Sequence, residues 1–354
     1  MPDTSAYQLL DTLLDIATNI QIDKNFTIFH PYYQPLTLSN QLLQRIPHLD
    51  QGLQDKFYKL LLRHFIHGIY YDGSLCSTLA INPEVNHVCI YEDLETKLTI
   101  DQAFYEELHS SNSGIGYFDA GWQVIRKEPD GSMAITKDGL NIYVENPRHL
   151  QKKSSHAGEE VALWMPKNRL QNNCYVALSD VQDSKSNNDA GQIYLNITSK
   201  GAIALMAALT QELNAAKITF EFQVPYHPQA YHCFDSGKLY FPIAEYPLIR
   251  EILQTIYPES RHHFQPQTPL FTKFLAPGMS FAELPLKKFS PQETFGINRC
   301  QIVANALFEA WQQGNNSSSE KIELIEQHFA WLDIDLHHPY LNPSSPDIYQ
   351  PLKA

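Results

Sequence analysis

Apolar residues recur at helical spacing in the first third of the chain, where Leu9, Leu10, Leu13, Leu14 and Ile16 form one run and Phe57, Leu60, Leu61 and Phe65 another. A period near 3.6 residues predicts two amphipathic helices. The second is uninterrupted, because no proline lies between Pro47 and Pro83. Pro31, Pro35 and Pro47 between the two runs each lack a backbone donor and belong at element ends. The stretch FTIFHPYYQPLTLSNQLLQRIPHLDQ is therefore expected to be a loop with one short helix.

Near residue 110 the pattern changes. Asp130-Gly131, preceded by Pro129, and Asp138-Gly139 are turn signals set between short runs of strand formers, predicting a three-stranded meander over 122–125, 133–136 and 140–144. Residues 161–165 and 174–178 read as further strands, and the polar loop DVQDSKSNNDAG closes at Gly191. GQIYLNI then reads as a strand, while Ala202, Leu205, Met206, Leu209 and Leu213 share a helical face. Ile218, Phe220, Phe222 and Val224 alternate with Thr219, Glu221 and Gln223. This strand, helix, strand unit is long enough for parallel pairing of its outer strands. KLYFPI adds a strand, 246–256 a helix, and a Pro-rich stretch runs from Pro258 to Pro291. A helix over 298–313 ends at Gly314, followed by one short amphipathic helix and a Pro-rich tail.

These elements divide the chain into a helical N-terminal region (1–109), a mixed domain (110–314) and a C-terminal tail (315–354). The expected fold class is α+β, with the helical region packed on a mixed, largely antiparallel sheet with flanking helices. The meander argues against a doubly wound parallel fold.

Composition narrows the function. The 354 residues are 43% hydrophobic and 18% charged, as in a soluble globular chain of about two domains. Lys plus Arg number 26 against 39 Asp plus Glu, a formal charge of −13, which repels phosphate backbones and anionic lipid. Neither nucleic acid nor membrane is an expected partner. Cys76, Cys89, Cys174, Cys233 and Cys300 are scattered and form no CxxC, which argues against disulfides and thiolate zinc and for a reducing, cytoplasmic location. The N-terminus lacks a basic, apolar leader, and no run approaches the roughly 18 apolar residues of a membrane span.

Few patterns point to chemistry on their own. His64 and His67 lie one helical turn apart, but no third ligand has a matching spacing, and the pairs His262-His263 and His337-His338 read as loop histidines, so no metal is expected. HExxH, GxSxG and GxxxxGK[ST] are absent, and Gly114-Ile115-Gly116 reads as a plain turn rather than a dinucleotide loop. The stretch PLFTKFLAPGMSFAELP followed by FGINRC stands out. There Lys273 and Arg299 lie in weakly charged sequence, Pro277 and Gly278 imply a fixed loop, and Gly296 implies a close backbone approach. Such cations can grip an anion at a helix N-terminus. The competing reading has Lys273 in solvent and Arg299 paired with Glu283 or another acid to pin the loop.

Several separated motifs resemble the HopA-type family, named after a bacterial type III secreted effector and also found as lyase components in gene clusters for modified ribosomal peptides. They are NSGIGYFDAGW (112–122), KDGL (137–140), MPKN (165–168), IYLN (193–196), the D-x-x-x-LY of 235–240, PLFTKFLAPG (269–278) with AELP, and FGINRC (295–300). The resemblance implies a phosphothreonine lyase-like activity: a partner kinase phosphorylates Ser or Thr of a precursor peptide, and the lyase eliminates phosphate to leave a dehydroamino acid, as in lanthipeptide maturation. Such a reaction needs no metal or organic cofactor. It needs a base for the Cα proton, cations for the leaving phosphate and a donor at the carbonyl. On the resembling positions, Lys137 or Lys167 would be the base, Tyr194 a hydrogen-bonding catalytic group, and Arg169, Lys273 and Arg299 the phosphate contacts. Asn196, Asp119 and Trp122 would bind substrate. The bland reading of the same residues has the lysines solvated beside turns and Tyr194 and Asn196 facing outward on a strand. Two positions depart from the family pattern, which carries Lys where Gln223 stands and Arg where Cys233 stands. If those cations belong to the site, their loss leaves two alternatives: a non-catalytic, effector-like peptide- or protein-binding module, or a different substrate.

Overall fold

A computed structural model describes residues 4–81, 100–145, 147–151, 156–181, 189–315 and 317–353. Cys89 and most of the polar loop before Gly191 lie outside the described residues. The expected α+β class holds. Helices α1 (Thr4–Asn19), α2 (Asn40–Arg45), α3 (Gln51–Ile66) and α4 (Gln102–Ser111) occupy the N-terminal region, and α5 (Ser199–Ala215), α6 (Tyr246–Ser260), α7 (Phe295–Gln313) and α8 (Ser318–Ala330) follow. Side-chain caps start them where the sequence supplies one: Asp50 accepts from Leu53 N, Thr198 from Gly201 N and Thr294 from Ile297 N. Gly314, at φ +76°, ends α7 in the left-handed conformation that glycine adopts without a Cβ penalty.

Three sheets form, and every described ladder is antiparallel. Strands β1 (Gln21–Ile22), β2 (Thr27–His30) and β3 (Tyr33–Thr37) make a small sheet. The 26–51 stretch is thus not a simple loop. Pro35 is accommodated in β3 on the rim of a short sheet, where a missing donor is tolerated. The meander appears as expected in β4 (Tyr117–Lys127), β5 (Met133–Lys137) and β6 (Leu140–Val144), and β7 (Glu160–Met165) completes a sheet of order β6-β5-β4-β7. Its buried side carries a core of its own, with Trp122, Val124, Ile135, Val161 and Leu163 among its members.

The third sheet is built from β8 (Asn168–Gln171), β9 (Cys174–Leu178), β10 (Ala190–Leu195), β11 (Glu221–Pro225), β12 (Gly237–Pro242), β13 (Lys273–Ala276) and β14 (Met279–Glu283), in the order β13-β14-β10-β12-β11-β9-β8. Strands β10 and β11 do run parallel across the α5 crossover, but β12 lies between them, so they do not pair. The Pro-rich stretch also holds more structure than its composition suggests: α6 continues through Pro258 to Ser260, and β13 and β14 form a hairpin about Gly278. Ile218, Phe220, Phe222 and Val224 are each at most 1% exposed, as their alternation predicts.

One large core joins these parts, combining Leu13 and Ile16 of α1, Phe65 of α3, Leu209 of α5, Phe281 of β14 and Phe308 of α7. Helices α1 and α8 meet on it: Lys321 of α8 donates to Ala17 O at 2.9 Å and Ile20 O at 3.1 Å, satisfying carbonyls at and just beyond the end of α1. Among the described residues no helix is long and apolar enough to cross a membrane.

Candidate functional site

The middle of the seven-stranded sheet concentrates polar side chains. In β12, GKLYFP, Leu239 and Phe241 are buried in the core while Lys238 and Tyr240 are half-buried on the opposite face. Lys238 is in register with Tyr194 of β10 and Gln223 of β11, and directly opposite residues of an antiparallel pair project to the same face. Asp235 Oδ2 lies 2.7 Å from Lys238 Nζ. Burial opposes the charge on Lys238, but Asp235 and Tyr240 more than offset it and hold its pKa above the ordinary value. Lys238 is therefore a fixed cation and a poor base. Tyr194 is 2% exposed and donates to Gln192 Oε1 at 3.0 Å, and burial raises its pKa. The ring of Tyr71 meets it edge-on at 6.3 Å. Gly296 makes room for Tyr71, since a Cβ there would fall 2.3 Å from its ring, which is the close approach the glycine implied.

Beside this row, Asp72 Oδ2 lies 3.2 Å from His67 Nδ1 and its Oδ1 accepts from Ser74 N at 2.9 Å. Burial pushes the Asp72 carboxyl up, but these contacts pull it below its ordinary value. Phe234 N donates to Asp72 O at 2.8 Å, which draws in the neighbouring Cys233. Asp72, Cys233 and Asp235 place one donor atom each within 4.8 Å of one another, a possible metal-ligand set among the described residues. Lys238 pairs with Asp235 and His67 Nδ1 contacts Asp72, so both carboxylates of the set already have a resident partner. Burial, reinforced by the two carboxylates, pushes the Cys233 thiol up.

The residues singled out in the sequence fall into several places. Asp119, Trp122 and Lys137 do come together: Lys137 Nζ lies 2.6 Å from Asp119 Oδ1, Trp122 Nε1 donates to Asp119 Oδ2 at 2.7 Å, and the ammonium stands 6.0 Å over the Trp122 ring. Arg169 pairs with Glu221 at 2.7 Å. Burial raises the Tyr117 pKa, with Asp119 and Glu221 raising it further and Arg169 lowering it. Lys167 is tied elsewhere, donating to Asn112 O at 2.7 Å while Asn112 Nδ2 returns a bond to Lys167 O at 3.2 Å. Burial lowers the Lys167 pKa against the pull of Asp180. The Gly114-Ile115-Gly116 turn is pinned by Asp180 Oδ1, which accepts from Ile115 N and Gly116 N.

Asn196, Lys273 and Arg299 gather around the Pro-rich loop and the C-terminal segment. Asn196 fixes the loop, accepting from Gln265 N, donating from its own N to Gly278 O and from Nδ2 to Gln267 O at 3.0 Å. Gly278 is obligatory there, because at φ +74° a Cβ would fall 2.2 Å from Gln265 O. The loop walls a cavity of about 360 Å³ that Leu9, Thr12, Tyr70, Phe234 and Tyr340 help to line. Lys273 Nζ contacts Tyr340 Oη at 3.2 Å and Asp347 Oδ2 at 3.3 Å. Arg299 is 1% exposed and does pin a segment, though through carbonyls rather than a carboxylate: it donates to Pro339 O at 2.7 Å, Leu341 O at 3.2 Å and Asn298 Oδ1 at 2.6 Å. Burial lowers its pKa to about 10, with Tyr194, Glu283 and Glu293 favouring the charge.

A family model for the HopA1 effector protein family matches residues 165–341, half of the chain. The chain belongs to the HopA1 effector family. No curated protein matches it. Among solved structures it resembles the effector protein from Pseudomonas syringae pv. syringae strain 61, at 19% identity and a TM-score of 0.38, over 48% of this chain and 63% of that one, less than two thirds of its length. It also resembles the effector protein from Pseudomonas syringae pv. tomato strain DC3000, at 13% identity and a TM-score of 0.38, over 68% of this chain and 81% of that one. The HopA1 match takes in the motifs from MPKN to FGINRC, whereas NSGIGYFDAGW and KDGL precede it. Sequence reasoning passed over Lys238, Asp72 and Tyr71, and quoted Asp235 in a motif without giving it a role. For Lys238 a signal was present, a lysine inside the apolar alternation of KLYFP.

Proposed function

We propose that this HopA1-family chain binds a peptide or protein partner and does not eliminate phosphate from it. Elimination from a phosphoserine or phosphothreonine of a precursor peptide would require an available base and a cationic cradle for the departing dianion. The charge arrangement argues against both. Lys137, Arg169, Lys238 and Lys273 each face a carboxylate, and Arg299 is enclosed by carbonyls. Lys167, the one candidate base whose pKa is lowered, is committed to Asn112 O.

The observation that carries the reading is local. Gln223, directly across from Lys238, and Cys233, beside Asp235, bring no positive charge to the row, while Lys238 itself is neutralised by Asp235. The remaining cation is too strongly countered to hold a phosphate dianion alone. What the face offers instead is the half-buried Gln223 and Tyr240 beside a compensated ion pair, groups able to hydrogen-bond a peptide's polar atoms.

The decisive measurement incubates the protein with phosphoserine and phosphothreonine peptides, including precursor peptide phosphorylated by its partner kinase, and follows mass loss of phosphoric acid alongside binding by fluorescence anisotropy. Binding with intact phosphopeptide is the expected result. Formation of dehydroamino acid would overturn the proposal and establish the lyase.

A further inference from the structure

Beyond the HopA1-matched residues, the C-terminal segment lies extended in a groove between α6 and the edge strand β13, and its main chain is read there by side chains. Arg250 Nε donates to Gln350 O at 3.2 Å and Nη2 to Pro351 O at 2.9 Å. Tyr246 Oη also donates to Gln350 O, at 3.3 Å. Gln254 makes a two-way contact with Lys353, donating from Nε2 to its carbonyl at 2.8 Å and accepting its amide at 2.7 Å. On the other wall Leu352 N donates to Leu275 O at 2.8 Å. Four consecutive residues are thus held through backbone groups, whatever their side chains.

Side-chain selectivity enters at two points. Tyr349 is 2% exposed, stacks on Phe281 with ring centroids 3.8 Å apart, meets Tyr246 edge-on at 4.7 Å and donates to Glu283 Oε1 at 2.8 Å. Leu352 packs half-buried against the core. The intervening Gln350 and Pro351, and Lys353 after them, are exposed. The segment is joined to the body by an exposed turn in which Ser344 takes a left-handed φ of +64°, over a second cavity of about 280 Å³.

Backbone capture on a sheet edge and a helix face, with pockets for alternate side chains, is how extended peptides are recognised between proteins. We propose that the α6–β13 groove is a peptide-recognition site, filled in cis by residues 348–353. Its partner is an extended peptide of another protein with an aromatic residue, any two residues and an aliphatic residue in succession. The exposed turn lets the resident segment leave and such a peptide enter. This inference stands on the C-terminal contacts alone and is independent of the chemistry at Lys238.

The test introduces a protease site after Ser345, cleaves the folded full-length protein, and titrates it with a fluorescein-labelled peptide of residues 346–353 (PDIYQPLK). Saturable binding is expected to the cleaved protein, at least tenfold tighter than to the uncut chain. The Arg250→Ala/Gln254→Ala double variant weakens it at least tenfold, and a peptide carrying Tyr349→Ala loses it. As a second measurement, full-length protein with Tyr349→Ala binds the labelled peptide without cleavage. Unfolding on cleavage together with no binding to the Tyr349→Ala chain overturns the proposal, and so does a cleaved segment that never exchanges.

Discussion

Replacing Arg299 with methionine removes a guanidinium that is 1% exposed and serves three acceptors, Pro339 O, Leu341 O and Asn298 Oδ1. Methionine keeps much of the volume, so little cavity forms. The loss is electrostatic: two carbonyls lose their donor, and Glu283 and Glu293, 2% and 5% exposed and both acting on Arg299, lose their nearby positive charge. Removing one partner from a buried charged network costs about 3–5 kcal/mol, a large share of a typical total of about 5–15 kcal/mol. At an m-value of about 3 kcal/mol/M, the urea midpoint falls by more than about 1 M. Because two of the acceptors are in the 339–341 segment, limited proteolysis should also cut beyond α8 sooner. Arg299→Lys, with one compact donor group in place of a planar fork, should fall between the two. An Arg299→Met protein within about 1 kcal/mol of wild type and equally protease-resistant would refute this account.

Two further outcomes follow from packing and burial. Gly296→Ala places a Cβ 2.3 Å from the Tyr71 ring, so despite about 1 kcal/mol gained in helix propensity the overpacking cost of about 1–3 kcal/mol should lower or at best preserve stability; a clear rise in the thermal midpoint would contradict it. His30, His64 and His109 all have pKa values lowered by burial, against the pull of Asp15 for His30 and of Asp72 for His64. The unfolded chain then takes up protons near about pH 6.5 before the folded one does. Stability should be level between about pH 8 and 7 and decline as pH drops toward the folded-state values, and a urea midpoint unchanged between about pH 8 and 5 would exclude it.

What the sequence revealed depended on how local the cause was. The meander was readable because Asp130-Gly131 and Asp138-Gly139 set its turns, and α7 because Gly314 ends it. Two hairpins were hidden: β2 with β3, and β13 with β14, contain or adjoin prolines that suggest loops, yet each sits where one missing donor does no harm. Strand order was hidden for a different reason. Nothing in β10, α5 or β11 signals that β12, formed later, inserts between them. The candidate site was the least legible part, because whether a cation is available depends on distant acids. Lys137 meets Asp119 from 18 positions away and Arg169 meets Glu221 from 52, and no spacing rule anticipates either. Asn196 was singled out for substrate contact, and the structure places it beneath a loop that it holds in shape.

The ammonium of Lys321 and the α1 carbonyl it reaches at Ala17 are 304 positions apart. At ribosomal rates of about 5–20 residues per second, about 15–60 seconds separate their synthesis. For that interval α1 has an unfinished terminus and an uncovered greasy flank, and it must be kept from sticking until α8 of the same molecule arrives to close it.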